Sequence, residues 1–240
     1  MQPYFSLRDN LASLSHNPYP GRGIVMGLLG DGVFVQIYWI MGRSENSRNR
    51  IFEKKYGVVY TTPADPAKVK DPSLTIYNAM RDGDGYYVVS NGAQTDDVMK
   101  TLLAGGSLSS ALLPWAYEPD EPNCTPRITG VCSLAGPYLF ELSILRKSLL
   151  SRATDHHLYQ YESVPKGVGY CVTTYSDDGD PLPSFAGVPY PVPLEGGPAQ
   201  VAGTFWNVLN KENRISLAVK YFSLDTGRSV IRIVNKYKKA

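Results

Sequence analysis

The segment IVMGLLGDGVFVQIYWIM, residues 24–41, decides the fold class of this chain. Its two apolar runs, residues 24–29 and 33–41, are rich in β-branched and aromatic side chains and flank the turn sequence Gly30-Asp31-Gly32. Two such runs around a turn of this kind are typical of an antiparallel hairpin. The segment therefore predicts two paired strands.

The same pattern recurs further along the chain. Residues 74–81 and 86–90 flank the turn sequence DGDG, and residues 128–132 and 138–145 form a third candidate hairpin. The remaining strand candidates are residues 159–163, 169–175, 215–222 and 229–234. Within residues 74–81, strand alternation would place Tyr77, Ala79 and Arg81 on one face and Asn78 on the other.

Three helices are predicted among these strands. Thr95 or Asp96 is expected to cap the first, whose apolar residues 98, 102 and 103 share a face and which stops at the glycines 105–106. Residues 107–113 and the region 198–209 are expected to hold the others, and residues 181–198 an ordered surface loop. Because strands outnumber helices and hairpins predominate, the sequence predicts an α+β fold with two antiparallel sheets and outer helices.

The composition argues against several classes of protein. The 240 residues include 24 basic and 22 acidic side chains, and a net charge of +2 does not suit nucleic-acid binding through a global field. No run is apolar and long enough to span a bilayer, and the first 20 residues lack a secretory pattern. The three cysteines are expected to be reduced and buried. We therefore expect a cytoplasmic protein that binds neither nucleic acid nor membrane.

Motifs for common cofactors are absent or incomplete in the sequence. The glycines of residues 21–27 precede a predicted strand rather than a helix, which is the wrong context for a dinucleotide fingerprint. His156 and His157 are adjacent rather than at helical spacing, so we expect a solvated loop pair and no metal site. The basic tail with Lys236, Lys238 and Lys239 is expected to be a solvated end.

A basic segment, GRSENSRNR at residues 42–50, follows the second predicted strand. Arg43, Arg48 and Arg50 are separated by small hydrogen-bonding side chains. A guanidinium group binds phosphate through two hydrogen bonds, and serine and asparagine can complete such an anion site. A solvated basic loop is the alternative interpretation.

Three more polar clusters adjoin predicted strands. Tyr77-Asn78 with Arg81 suits a structural tyrosine, and SNGAQTD at residues 90–96 suits either helix capping or anion binding at a helix terminus. YEPDEPNCTPR at residues 117–127 combines three carboxylates with three prolines. Proline rigidity favours an acid or base held in fixed geometry, and an acidic surface loop is the alternative.

Taken together and in this order, the clusters resemble the archaeal-type IMP cyclohydrolase family and its bacterial homologues. The matching stretches are YPGRG (19–23), MGRSENSRNR (41–50), DPSLTIYNAMR (71–81), SNGAQTD (90–96), YEPDEPNCTPRITG (117–130) and DGDPLPSFAG (178–187). The resemblance spans residues 19–190, and the segment after residue 190 matches less well.

The resemblance implies a fold and a domain division. The family's fold is similar to the four-layer αββα core of N-terminal-nucleophile hydrolases. Residue 1 is Met here and no self-cleavage motif is present, so we expect this fold without autoprocessing and without a covalent intermediate. Residues 1–18 are expected to be an N-terminal extension, and residues 19–240 a single domain.

The resemblance also implies a reaction. The family cyclises 5-formamidoimidazole-4-carboxamide ribonucleotide (FAICAR) to IMP with loss of water, the last step of de novo purine biosynthesis. The partner is then a small purine ribonucleotide, and a homo-oligomer is left open. The step is intramolecular, so positioning supplies much of the acceleration, and neither a redox cofactor nor a metal is needed in principle.

Residue roles follow from the motif match. Glu118 is the acid/base candidate, with Glu121 as an alternative in the same loop. Tyr77 is a donor or proton shuttle at the formyl oxygen, and Arg43 lies close to the reacting groups. The other predicted substrate-binding residues are Arg22, Ser44, Asn46, Arg48, Asn49, Arg50, Asn78, Asn91, Thr95, Asp96, Asn123, Thr125 and Arg127.

Three other functions remain as alternatives. An amide hydrolase of the same fold would have a processed N-terminus. A non-catalytic purine-nucleotide-binding protein would keep the arginine-rich segment without depending on Glu118 or Tyr77. A structural protein would leave the polar clusters unexplained.

Overall fold

The computed structural model describes residues 6–30, 32–69 and 71–239, and they form two antiparallel sheets with few helices. The helices are α1 (Leu7–His16), α2 (Glu45–Arg48), α3 (Gln94–Leu103), α4 (Leu108–Leu112) and α5 (Pro198–Val208), with a 3-10 turn at Pro66–Lys68. The strands are β1 (Gly23–Gly30), β2 (Val33–Met41), β3 (Ile51–Lys55), β4 (Val58–Thr62), β5 (Asn78–Gly83), β6 (Tyr86–Ser90), β7 (Arg127–Ser133), β8 (Phe140–Lys147), β9 (Thr154–Tyr161), β10 (Val168–Thr173), β11 (Tyr190–Pro193), β12 (Arg214–Ser223) and β13 (Ser229–Asn235). The predicted mixed α+β class is confirmed.

The predicted hairpin at residues 24–41 forms the centre of the first sheet. This sheet has the strand order β11-β10-β1-β2-β12-β13, and the β1–β2 register places Gly23 opposite Trp39. Asp31 of the predicted turn lies outside the described residues. The strands beside the hairpin come from the last third of the chain, so the first sheet joins distant parts of the sequence.

The second sheet contains β3 to β9 in their order along the chain. The hairpins β5–β6 and β7–β8 confirm two predictions, although β5 begins at Asn78 rather than at residue 74. The strand starts late because the amides of Thr75 and Ile76 donate to the carbonyl of Pro72 and form a turn. β3 and β4 were not predicted, and β9 begins five residues before its predicted start.

The expected alternation around Tyr77 is wrong at Arg81. A register shift between β4 and β5 leaves Ala79 and Met80 both in the same apolar cluster as Tyr77. This irregularity changes the side on which the next residue lies. Arg81 therefore joins Asn78, and both contact Asp96.

The helices confirm part of the prediction. α4 follows Ser107 as its N-cap, and α5 buries Val201 and Phe205. The expected cap of α3 is wrong: its N-cap is Ala93 without a side-chain bond, and Thr95 instead donates to the carbonyl of Gly92. α1 and α2 were not predicted, and residues 181–198 contain β11 as well as loop.

Three apolar clusters hold these elements together. The first combines side chains from both sheets, among them Ile24, Phe34 and Phe140. The second contains the other side of β1 and β2 with Leu14 of α1 and Phe205 of α5. The third joins α3 and α4 to β6, β7 and β8. Burial of large apolar side chains in each cluster supplies the main stabilisation.

The two histidines predicted for a loop lie in β9 instead. The sequence predicts the start of this strand too late because residues 154–157 are polar. Within the described residues, no group of three His, Cys, Asp or Glu side chains is placed to hold a metal ion. No helix in that part of the chain has the length and apolarity needed to cross a membrane.

Candidate functional site

Polar side chains from both sheets meet at one end of the molecule. In the first sheet, Arg22 immediately precedes β1, and Tyr175 lies two residues after β10. In the second sheet, Tyr77 precedes β5, Asn91 follows β6, and Arg127 begins β7. Because the strands pair antiparallel, the start of one strand lies beside the end of the next, so these residues lie at the same end of the strands in each sheet. Glu118, in the loop before β7, joins the two groups.

Glu118 is the centre of this group and is only 2% exposed. Its Oε2 accepts a hydrogen bond from Arg22 at 2.6 Å, and its Oε1 accepts one from Asn91 Nδ2 at 3.3 Å. Arg127 Nη1 lies 4.0 Å from the same Oε1. Burial raises the pKa of Glu118, and the two arginines oppose that rise.

Arg22 is fixed by its backbone. Gly21 has φ +71, and a Cβ there would lie 2.2 Å from Thr174 Oγ1, so glycine is required at this turn. The Arg22 amide donates to Thr174 Oγ1 at 3.1 Å. Burial lowers the pKa of Arg22, but Glu118 and nearby tyrosines raise it by more. Among the described residues, the buried Nε of Arg22 has no hydrogen-bond partner.

Asn91 orders the opposite side of Glu118. Its Nδ2 donates to the Pro126 carbonyl at 2.9 Å, and its Oδ1 accepts from Gln94 Nε2 at 3.1 Å. Gln94 accepts in turn from Arg127 Nη1 at 3.1 Å. A Cβ on Gly92 would lie 2.5 Å from that Nη1, so a larger residue there would displace the guanidinium of Arg127.

Tyr77 faces a second tyrosine across the two sheets. Its hydroxyl lies 2.7 Å from the hydroxyl of Tyr38, and both side chains are buried. Burial and the adjacent Tyr77 raise the pKa of Tyr38 well above its ordinary value. Tyr77 is also near enough to Arg22 to contribute to the raised pKa of that guanidinium.

Thr125 links the carboxylate-rich loop to the first sheet. Its amide donates to Asp120 Oδ1 at 2.7 Å, and its hydroxyl contacts Asp120 and lies 2.5 Å from the Tyr175 hydroxyl. Burial raises the pKa of Tyr175 to about 12. Asn123 has a local role, since its Oδ1 accepts from the Leu182 amide at 3.0 Å.

Arg43 lies beside this group rather than within it. Its guanidinium pairs with Asp178, donates to the Gly179 carbonyl at 3.0 Å and lies 4.9 Å from the centre of the Tyr19 ring. It also lines a cavity of about 510 Å³. The other lining residues are Glu45, Arg48, Asn49, Ala64, Asp65, Lys68, Tyr237 and Lys238. Glu118 and Tyr77 do not line this cavity.

Most polar side chains of the basic segment, residues 42–50, form hydrogen bonds with nearby parts of the protein. Ser44 caps α2, and Arg48 donates to the Gly42 carbonyl and to Asn213. Asn49 donates to the Asp65 carbonyl at 2.8 Å. Arg50 is only 2% exposed and donates to the Ser47 and Met41 carbonyls. The segment is therefore a folded turn, in which Arg43, Arg48 and Asn49 face the cavity.

The remaining predicted residues lie elsewhere. Asn78 and Arg81 both donate to Asp96, and Thr95 bonds Ser90 and the Gly92 carbonyl. Asn46 contributes a backbone carbonyl to the end of α2. The structure thus brings Glu118, Arg22, Asn91, Arg127, Tyr77 and Thr125 together but not Asn78 or Asp96.

The sequence does not predict several residues near the site. Tyr38 lies inside an apolar strand, so its pattern indicates no functional role, and Tyr175 is predicted only as the end of a strand. The predicted solvated tail is wrong at Lys238, which lines the cavity. Gln94 belongs to the SNGAQTD motif of residues 90–96, and its place in that motif could have indicated that it lies at the site.

Comparison with known proteins identifies the family to which this chain is similar. Residues 19–227 match the model of a family described as IMP cyclohydrolase-like protein. The IMP cyclohydrolase of Methanopyrus kandleri is 30% identical over 164 residues, 66% of this chain and 76% of that protein. The IMP cyclohydrolase of Methanosphaera stadtmanae is 32% identical over 65% of this chain and 73% of its own length. That of Methanothrix thermoacetophila is 35% identical over 48% and 58%.

Proposed function

We propose a catalytic arrangement for this chain on the premise that it belongs to the IMP cyclohydrolase-like family and is an IMP cyclohydrolase. The reaction closes the pyrimidine ring of FAICAR. The carboxamide nitrogen attacks the formyl carbon and loses one proton, so a C–N bond forms and the formyl oxygen takes up a proton to become a hydroxyl. That hydroxyl then leaves as water with the proton of the formamide nitrogen, which yields IMP.

The buried carboxylate is proposed to move the nitrogen proton. Burial raises the pKa of Glu118, which is the direction needed by a carboxyl group that both takes and gives a proton near neutral pH. Glu121, the alternative, is exposed and lies outside the group around Arg22. Glu118 is therefore the better candidate.

Hydrogen-bond donors are proposed to stabilise the charge that develops on the formyl oxygen. The Arg22 side chain, which pairs with Glu118, is 13% exposed, whereas the side chain of Glu118 is 3% exposed. Its unpartnered Nε and the Tyr77 hydroxyl supply donors at this point. Donors fixed in advance within a buried site stabilise an oxyanion more strongly than water does.

The phosphate is proposed to bind in the cavity beside Arg43. A cavity of about 510 Å³ has room for part of a nucleotide, and Arg48, Lys68 and Lys238 give it an excess of positive charge over Glu45 and Asp65. Arginine forks suit phosphate oxygens. Arg43 lies between the cavity and the Tyr19–Tyr175 stack, so it is proposed to contact the substrate on the side of its reacting groups.

The αββα arrangement of N-terminal-nucleophile hydrolases, without autoprocessing, is proposed for the fold. The three apolar clusters support it, because one joins helices to the first sheet, one joins the two sheets, and one joins helices to the second sheet. Residues 19–240 are proposed as one domain, with residues 1–18 as an extension; Met1 lies outside the described residues. The cytoplasmic location stays a prediction, supported by three buried cysteines without disulfides.

The observation that carries the catalytic proposal is the buried Glu118 between two arginines, one of which, Arg22, has no hydrogen-bond partner for its Nε among the described residues. The test follows IMP formation from FAICAR by ultraviolet absorbance, with no metal or cofactor added. We expect turnover well above the uncatalysed rate and a loss of roughly a hundredfold or more in Tyr77→Phe. Substrate binding without turnover would instead indicate a non-catalytic nucleotide-binding protein. A processed N-terminus by intact mass would favour an amide hydrolase.

A further inference from the structure

The segment that joins α1 to β1 passes directly through the site. Asn17 ends α1, and its amide donates to the Ser13 carbonyl at 3.1 Å. Leu14 of the same helix is buried in one cluster with Tyr19 and Tyr175. The family match begins at residue 19, so α1 and Asn17 lie outside the matched range.

The Asn17 side chain makes two bonds to different segments. Its Nδ2 donates to the Ser176 carbonyl at 2.9 Å, and its Oδ1 accepts from the Tyr19 amide at 2.9 Å. The amide therefore acts as a donor to one segment and as an acceptor from the other, and Asn17 is half-buried. The side chain fixes residue 19 relative to residue 176.

These two segments are the ones that hold Arg43. The Tyr19 ring lies under the guanidinium at 4.9 Å and stacks on Tyr175 with centroids 5.9 Å apart. Asp178, two residues after Ser176, pairs with the same guanidinium. A bidentate or stacked arginine depends on the placement of its partners. A shift of either segment would therefore displace Arg43.

We propose that Asn17 is a positioning residue for Arg43, which it fixes by joining the Tyr19 segment to the Asp178 segment. This inference rests on the proposed role of Arg43 in substrate binding. Asn17 does not touch the substrate; it reduces the ordering that Arg43 must undergo when substrate binds, and that cost appears in KM.

The test is a double-mutant cycle of Asn17→Ala and Arg43→Ala. We expect Asn17→Ala to raise KM for FAICAR roughly threefold to tenfold, the range for one or two lost hydrogen bonds, with kcat within about twofold. In the Arg43→Ala background the same change should raise KM less than about twofold. Equal effects in both backgrounds would overturn the positioning role.

The control is Asn10→Ala, the same residue type on the same helix. Asn10 donates to the Pro191 carbonyl at 2.7 Å, away from Arg43, so its KM should match the wild type. An equal rise in KM in Asn10→Ala would overturn the proposal, because weaker packing of α1 on the rest of the protein would then explain the effects of both variants. If Asn17→Ala does not fold, Asn17→Asp replaces it in the cycle, since it keeps the acceptor for the Tyr19 amide. Wild-type kinetics in Arg43→Ala alone would identify a failure of the proposed function rather than of the Asn17 bonds.

Discussion

Two buried ion pairs connect the sheets at opposite ends of the molecule, and they differ in what they leave unpaired. At one end Arg22 pairs with Glu118; at the other Lys220, fully buried, pairs with Asp82 and donates to the Gly57 carbonyl at 3.1 Å. Lys220 lies on the same face of β12 as Ala218 and Phe222 in the cluster between the sheets. At that end the carboxylate of Asp82 pairs with the single ammonium group of Lys220.

The Glu118 end differs in its hydrogen bonds. Two arginines lie beside Glu118, and the carboxylate of Asp120 is near enough to contribute to the raised pKa of Glu118. Among the described residues, the Nε of Arg22 has no hydrogen-bond partner. Burial of an ion pair is therefore not what distinguishes the site; a donor without a partner is.

The largest effect should come from breaking the Lys220–Asp82 pair. Asp82→Asn removes the carboxylate that pairs with the buried Lys220, and we expect a loss of about 3–5 kcal/mol in the free energy of unfolding. Lys220→Met should cost much less, because the Asp82 side chain is 24% exposed and can be solvated. Denaturant titration of both variants measures this, and similar losses would contradict it. The activity of the folded fraction should stay at the wild-type level.

At the other end the expected loss is of activity. Glu118→Gln keeps the shape of the side chain but cannot take a proton, and we expect kcat/KM to fall by roughly a hundredfold or more, about 2.7 kcal/mol. The matched control is Glu121→Gln in the same loop, which should behave like the wild type. A reversed pattern in the steady-state assay would assign the proton transfer to Glu121.

A smaller effect should follow from the tyrosine pair. Tyr38→Phe removes the hydroxyl 2.7 Å from that of Tyr77 and should lower kcat by roughly tenfold or less, because Tyr77 itself remains. Tyr87→Phe is the control, since Tyr87 donates to the Gly227 carbonyl at the Lys220 end. Equal losses in the two variants would indicate a general effect on packing.

The smallest expected effect is on the pH dependence of stability, and its sign differs between the two pairs. Burial raises the pKa of Glu118 above its ordinary value of 4.5, so the folded state binds more protons than the unfolded state just above that pH, and stability falls as pH rises. Burial lowers the pKa of Lys220 below 10.5, so stability rises as pH approaches that value. Glu118→Gln should flatten the acid limb and Lys220→Met the alkaline limb in denaturant titrations. Unchanged limbs would contradict this prediction.

The sequence predicts the parts of this molecule that depend on local patterns. The hairpin at residues 24–41 follows from apolar runs and a turn, and Glu118, Asn91 and Arg127 follow from quoted motifs. β3 was missed because charged Lys54 and Lys55 break its pattern, and β11 because prolines dominate it.

Features that depend on contacts between residues far apart in the chain could not be predicted from the sequence. The reversal of Arg81 depends on a register shift between two strands, and Tyr38 belongs to the site only because Tyr77 approaches it from the other sheet. The Lys220–Asp82 pair joins residues 138 positions apart. No pattern within one segment specifies such pairs, since they arise when the sheets pack.

The order of the strands has a consequence for how the chain acquires its structure. In the second sheet, β3 to β9 each pair with strands that are next to them in sequence. In the first sheet, β1 pairs with β10 and β2 with β12, which lie more than 130 residues later in the chain. Local pairings close small loops and form faster than distant ones. We therefore expect amides of the second sheet to gain protection first in pulsed hydrogen exchange during refolding. The site, which needs both sheets, would then be among the last features to appear, so recovery of activity should report completion of folding.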